Sequence, residues 1–234
     1  SLFVLLIAAG MTQAQPKTDK KAKGPKTATV KLFNGKNLKN WEFHLRDASV
    51  DPATVFTAAD GVIRIKGEPF GYMRTKDAYS DYTLSLEWRW PSEPTNSGVF
   101  VHAQLPDTIW PKCIECQLKA GSAGDFVCMN GADMNERKDK AVRSVKKLAE
   151  SSEKPAGEWN NIVIRVKDGK VTHTQNGVKV VEYEMWTPKW DEMVENSKFK
   201  SFPGFREGIA REGYIALQDH GYPIWFRNIK IRVL

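Results

Sequence analysis

The chain has little of what would mark several common classes of protein. Three cysteines in 234 residues are too few for a disulfide scaffold. No apolar run approaches the length of about 20 residues that a membrane-spanning helix needs. There is no internal repeat, no paired-carboxylate strand motif of the ExDxxE kind, and no spaced ligand motif that demands a metal. Positive charge is scarce where it would matter. Residues 16–31, "PKTDKKAKGPKTATVK", carry six Lys against one Asp and supply +5 of the formal +7, leaving +2 for everything else. The basic balance therefore belongs to a solvated segment. Nucleic-acid binding, which needs Lys and Arg interleaved with aromatics on a folded body, is not expected.

What is present begins with "SLFVLLIAAGMTQAQ", residues 1–15. Its apolar stretch of about ten residues, followed by small residues suited to cleavage near Ala14, reads as the remnant of a signal peptide. Without a Cys at the cleavage region, a lipid anchor there is not expected. The expectation is export to the periplasm or beyond, with residues 16–28 as a basic flexible linker and 29–234 as a single domain that does not insert in a membrane. A domain of about 200 residues can bury a sizeable core. Eight Trp and eleven Phe suit a large all-β domain, and such rings also serve as flat platforms in carbohydrate sites.

Short strand candidates separated by Gly and Asp turns fill the rest. "YTLSLEWRW" alternates Tyr82, Leu84, Leu86, Trp88 and Trp90. Asp60-Gly61, Asp168-Gly169 and Asn176-Gly177 read as hairpin turns. The pattern predicts an antiparallel β-sandwich or jelly roll. One excursion interrupts it: "NERKDKAVRSVKKLAESSEKP", residues 135–155, is highly charged with apolar residues at helical spacing, and reads as partly helical.

Cys113 and Cys116 have CxxC spacing but fall in the strand candidate "CIECQLKA", where positions three apart point to opposite faces; a shared zinc or redox pair is not expected. If "AGSAG" closes a hairpin, Cys116 and Cys128 come roughly opposite each other and close enough to bridge, the alternative being two buried thiols. Period-two geometry also puts Glu115, Gln117 and Lys119 on one side of that strand. In "SGVFVHAQ" it sends Val99, Val101 and Ala103 inward and leaves Phe100, His102 and Gln104 on the opposite face. At the C-terminus, "GYIALQDHGYPIWFRNIKIRVL" raises a question of its own: Gln218, Asp219 and His220 stand where one strand stops and another begins. The economical reading makes Asp219 a turn carboxylate that bonds its own backbone; the alternative is that the corner carries chemistry.

The motifs "LFNGKNLKNW", "GYMRT", "NSGVFVH", "IECQL", "GEWNNIVI", "NGVKVVEYE" and "GYIALQDHGYPIWFRNIKI", in that order from about Thr29 to Leu234, resemble the 3-keto-disaccharide hydrolase domain family. The resemblance implies a jelly roll of the concanavalin A-like type whose concave face binds a sugar oxidised to a ketone at C3. Asn96, Ser97 and Gly98 match the NSG motif of that family, Glu115 and Gln117 its acidic-and-amide strand, Gln218, Asp219 and His220 its LQDHG corner, and Arg74 the basic position of "GYMRT". Many relatives carry Arg where this chain has His102.

A 3-ketone makes the C2 proton acidic, so such a reaction asks for a base, an acid for the departing aglycone and donors toward an enolate oxygen. On this reading Glu115 and His220 are the acid–base pair, with Asp219 orienting His220 or bonding sugar hydroxyls. Arg74, Gln117 and Lys119 are candidate donors. Asn96, Ser97, His102 and Gln218 join them as substrate-binding candidates, and Trp110 and Tyr222, with Trp41 and Trp225, as a stacking platform. No cofactor is expected, although Glu115, Asp219, His102 and His220 could together hold a divalent ion. The expected partners are a 3-keto sugar and, functionally, a sugar 3-oxidoreductase. A non-catalytic carbohydrate-binding module and a conventional glycosidase are the alternatives.

Overall fold

The computed structural model describes residues 29–129, 149, 152–188, 190 and 209–234. The signal-peptide and linker readings, and most of the charged excursion, lie outside the described residues. Among the described residues fourteen strands are found: β1 (Thr29–Lys31), β2 (Trp41–Leu45), β3 (Phe56–Ala59), β4 (Val62–Ile65), β5 (Gly71–Thr75), β6 (Tyr82–Arg89), β7 (Gly98–Ala103), β8 (Cys113–Gln117), β9 (Phe126–Met129), β10 (Asn160–Lys167), β11 (Lys170–Gln175), β12 (Val178–Glu184), β13 (Tyr214–Asp219) and β14 (Ile224–Val233).

They form two antiparallel sheets, as the turn spacing predicts. One runs β12-β11-β10-β6-β14-β4-β3, with β1 also paired to β14; the other runs β2-β5-β13-β7-β8-β9. A common hydrophobic cluster takes Leu84, Leu86 and Trp88 from β6, Ile162 and Ile164 from β10 and Phe226 from β14 on the first sheet. It takes Met73, Val99, Val101, Cys116 and Leu217 from the second. Strand β6 shows why: Tyr82, Leu84, Leu86 and Trp88 are buried and every residue between them is not, so one face of the pleat is dry. Burying such side chains stabilises the sandwich by about 1.5–3 kcal/mol each.

The three dipeptide turns are where the sequence puts them. Asp60-Gly61, Asp168-Gly169 and Asn176-Gly177 link β3–β4, β10–β11 and β11–β12, and all six residues have positive φ. That is the requirement of the two-residue turn whose twist matches antiparallel strands.

Three details depart from simple alternation. The register between β7 and β13 shifts between Tyr214 and Ala216, and His102 takes a positive φ of 53°. This bulge re-aims the end of β7. The β8–β9 register sets Ile114 opposite Cys128 and Cys116 opposite Phe126, so the expected Cys116–Cys128 facing pair is not formed; Cys116 is a buried free thiol. Cys113 and Cys116 do fall on opposite faces, in different hydrophobic clusters. Finally, β13 and β14 lie in different sheets, so "QDHGYP" is the corner by which the chain crosses the sandwich.

Candidate active site

The outer face of the six-stranded sheet collects the polar side chains that alternation assigns to it. Phe100 pairs with both Ala216 and Glu115, and Ala216 with Arg74. Arg74, Ala216, Phe100 and Glu115 therefore form one row across β5, β13, β7 and β8. The next row holds Tyr72 opposite Gln218, and Gly98 opposite Gln117. Tyr72, Phe100, Cys113 and Ala216 pack together on this face as a small cluster separate from the main core.

Glu115 is only 4% exposed. Its side chain folds over Gly98, to the point that a Cβ there would come within 2.6 Å of Glu115 Cγ and 2.7 Å of its carboxyl carbon. The carboxylate is thus carried over Gly98 of β7. Gln117 accepts the backbone N–H groups of Leu118 and Lys119 on its Oε1, both at 3.0 Å, which leaves its NH2 group as what it can offer a ligand. Gln218 is buried and, among the described residues, its Oε1 has no partner; the Oδ1 of Asn96 is in the same condition. Such atoms are costly unless something donates to them.

His220, just past β13, packs edge-on against Phe70 and, tilted, against Trp110, both at 5.5 Å between ring centroids. Burial lowers its pKa, and the nearby Lys119 charge acts in the same direction, so near neutral pH the imidazole can accept a proton. Lys119 is exposed beside it. Glu115, Gln117, Lys119, Gln218, His220 and Trp110 are therefore gathered on one side of the sheet, with Asn96 at its rim.

Other expected members are not available there. His102, re-aimed by the bulge, is fully buried on the core side between Tyr82 and Trp186, at 6.5 and 5.7 Å between ring centroids; Ala103 takes the place on the outer cluster instead. Burial depresses the His102 pKa to about 4. Ser97 is fully buried and its hydroxyl donates to the Gln218 carbonyl at 2.8 Å, a structural bond between β7 and β13. Trp41 belongs to the core. Trp225 lies on the far sheet, between Arg64 and Arg89. Tyr222 is 47% exposed on the crossing corner.

Asp219 follows the economical reading. It is fully buried and accepts the Gly221 N–H at 3.1 Å, and among the described residues no hydrogen bond joins it to His220. Burial chiefly, with the Glu68 charge adding, raises its pKa to about 7. With His102 and Asp219 turned away, the four-residue metal set does not assemble. Among the described residues no group of three or more His, Cys, Asp or Glu is arranged to hold an ion.

Arg74 stands on the expected face, but its fork is taken. Nε and Nη2 meet Asp107 at 2.9 and 2.8 Å, Nη1 donates to the Thr75 carbonyl at 3.2 Å, and Tyr72 donates its hydroxyl to Asp107 at 2.8 Å. Burial works to raise the Asp107 pKa, yet the bonds from Arg74 and Tyr72 outweigh it and hold the carboxyl below its ordinary range. Sequence reasoning missed Asp107, Phe70 and Tyr72. Phe70 and Tyr72 share the parity of Arg74 and were legible; Asp107 sits in a loop, where no periodicity points.

The profile of the 3-keto-alpha-glucoside-1,2-lyase-like domain matches residues 28–232. A 3-keto-disaccharide hydrolase of Bacteroides thetaiotaomicron is 29% identical over 88% of this chain and 78% of its own length. Two crystal structures of provisionally assigned glycosyl hydrolases from Parabacteroides distasonis are similar. One is 26% identical with a TM-score of 0.65, covering 88% of this chain and 94% of the other. The second is 28% identical with a TM-score of 0.62, covering 88% and 100%.

Proposed function

The chain belongs to the 3-keto-alpha-glucoside-1,2-lyase-like domain family and is a carbohydrate-active hydrolase of it; from that premise we propose that it cleaves 3-keto-glycosides by elimination followed by hydration. The observation that carries this reading is the Glu115 carboxylate lying over Gly98 on the same sheet face as His220. One buried carboxyl and one imidazole of lowered pKa are what the chemistry requires, and a second flanking carboxylate is not.

His220, neutral near pH 7, takes the C2 proton. The C2–H electron pair moves toward C3, giving an enediolate whose negative oxygen needs donors, and the Gln117 NH2 group and Lys119 are the available ones. As the C3 carbonyl re-forms, the pair shifts into a C1–C2 double bond and the C1–oxygen bond breaks. Glu115 gives the aglycone oxygen its proton. Water then adds its hydroxyl to C1 and its hydrogen to C2, so the net change is hydrolysis. Gln218 Oε1 and Asn96 Oδ1, buried without donors among the described residues, are the candidate acceptors for sugar hydroxyls, and Trp110 supplies an apolar wall. The substrate implies export and an oxidoreductase acting before it on the C3 hydroxyl.

Glu115→Gln should abolish turnover of a 3-keto-glucoside while leaving the melting curve in place. The unoxidised parent glucoside should survive the wild-type protein, and deuterium at C2 should slow cleavage and be lost to solvent. Binding of both sugars with turnover of neither points instead to a carbohydrate-binding module. Cleavage with the C2 label retained points to direct displacement.

A further inference from the structure

The loop between β7 and β8, residues 104–112, has a role that the reaction above does not assign. Its base is closed by the Gln104 N–H donating to the Lys112 carbonyl at 3.1 Å. At its centre Asp107 reaches down to β5, where both carboxylate oxygens are met by the Arg74 fork and one also by the Tyr72 hydroxyl. This anchor is prepared in advance: the Arg74 guanidinium lies 4.6 Å from the Tyr214 ring centre, and its side chain is only 14% exposed. Bidentate, charge-assisted pairs of this kind fix geometry as well as adding energy. Three residues further on, Trp110 rests against His220 and Phe70, and Phe70 is held in turn beneath Arg46 at 4.4 Å. Among the described residues no side chain hydrogen-bonds the His220 ring; a bond to its own backbone and packing by Phe70 and Trp110 orient it.

We propose that Asp107 is a positioning residue: by clamping Arg74 and Tyr72 it holds the loop so that Trp110 rests on His220, fixing the imidazole and, if the proposed reaction is right, one wall of the sugar site. The clamp and the tilted Trp110 ring lie on one short loop, which links β5 to the corner after β13. A sugar bound against Gln218 would meet the Trp110 ring where the loop puts it, so releasing the clamp weakens binding, and by freeing the His220 ring it slows the chemistry as well.

The chain has four histidines, so its imidazole C–H resonances are simple to follow, with His220 assigned from His220→Asn. Trp110→Ala should move the His220 resonance by removing the indole ring current. Asp107→Asn should move it in the same direction, and the double variant no further than Trp110→Ala alone, while the buried His173 stays in place as a control on the fold. Arg74→Lys, which keeps the charge but loses the fork, should act like Asp107→Asn and serves if that variant does not fold. A His220 signal unmoved by Asp107→Asn or Arg74→Lys, but moved by Trp110→Ala, overturns the clamp; one unmoved by Trp110→Ala overturns the contact. These readings need no substrate and stand whatever the reaction is. On a 3-keto-glucoside, Asp107→Asn should raise KM and lower kcat, each about tenfold; KM unchanged removes the wall from the proposal, and kcat unchanged removes the orientation of the imidazole.

Discussion

The carboxylate of Glu115 occupies the space that a side chain at Gly98 would fill. A Cβ on Gly98 would stand 2.6 Å from Glu115 Cγ, closer than carbon atoms pack, so the NSG glycine is what allows the carboxylate to lie across β7. Gly98→Ala should leave the sandwich folded, at a cost of about 1–3 kcal/mol for the forced rearrangement. By displacing the carboxylate, it should lower kcat/KM on a 3-keto-glucoside by about 100-fold. Denaturant melts and steady-state kinetics on the same preparation separate the two. Full activity in Gly98→Ala would show that the carboxylate works from some other position.

Ser97, next to it, should behave in the opposite way. Its hydroxyl is buried in a bond to the Gln218 carbonyl, so Ser97→Ala should cost about 1–3 kcal/mol of stability. KM for the keto-sugar should stay within about twofold of wild type. A raised KM with an unchanged melt would return Ser97 to the ligand.

The Asp219 carboxyl, raised from 3.8 to about 7, makes a definite pH signature. Between those values the folded protein holds a proton that the unfolded chain has lost. Stability from this group is therefore complete below 3.8 and disappears as pH rises through about 7. Asp219→Asn keeps an oxygen for the Gly221 N–H and removes the titration. Its stability should exceed wild type above pH 7 and flatten the wild-type decline below it, read from thermal melts across the range. Equal pH slopes in the two proteins would contradict the burial argument.

Three imidazoles act with the other sign. His102 and His173 are buried with pKa values lowered from 6.5 to about 4, and burial lowers that of His220 as well. As pH falls through that window the unfolded chain takes up protons that the folded one refuses, and stability drops. His102→Gln should remove one of these contributions, giving a shallower acid limb in urea melts at pH 4 to 6.5. An unchanged limb would mean that the ring is protonated in the fold.

The crossing corner after β13 illustrates how far reading from residues goes. The motif order and the polar run Gln218-Asp219-His220 were visible, and so was the turn role of Asp219. Which sheet each flanking strand joins was not: β13 and β14 are neighbours in sequence and separate in pairing. His102 was misplaced because period two holds only while the ladder is regular, and one residue at φ 53° reverses the count. The Cys116–Cys128 pair failed for a related reason, since the β8–β9 register is offset by two residues and register depends on the whole connecting loop.

Alternation in β6, the paired turn residues with positive φ and the faces of Cys113 and Cys116 were determined by the sequence alone, because each rests on the geometry of a few adjacent residues. Tertiary structure alone decided that Asp107 clamps Arg74, that Trp110 covers His220 and that Glu115 lies over Gly98. Those contacts join residues from different strands and loops, and they exist only once burial of the common core has brought the two sheets and their connections together.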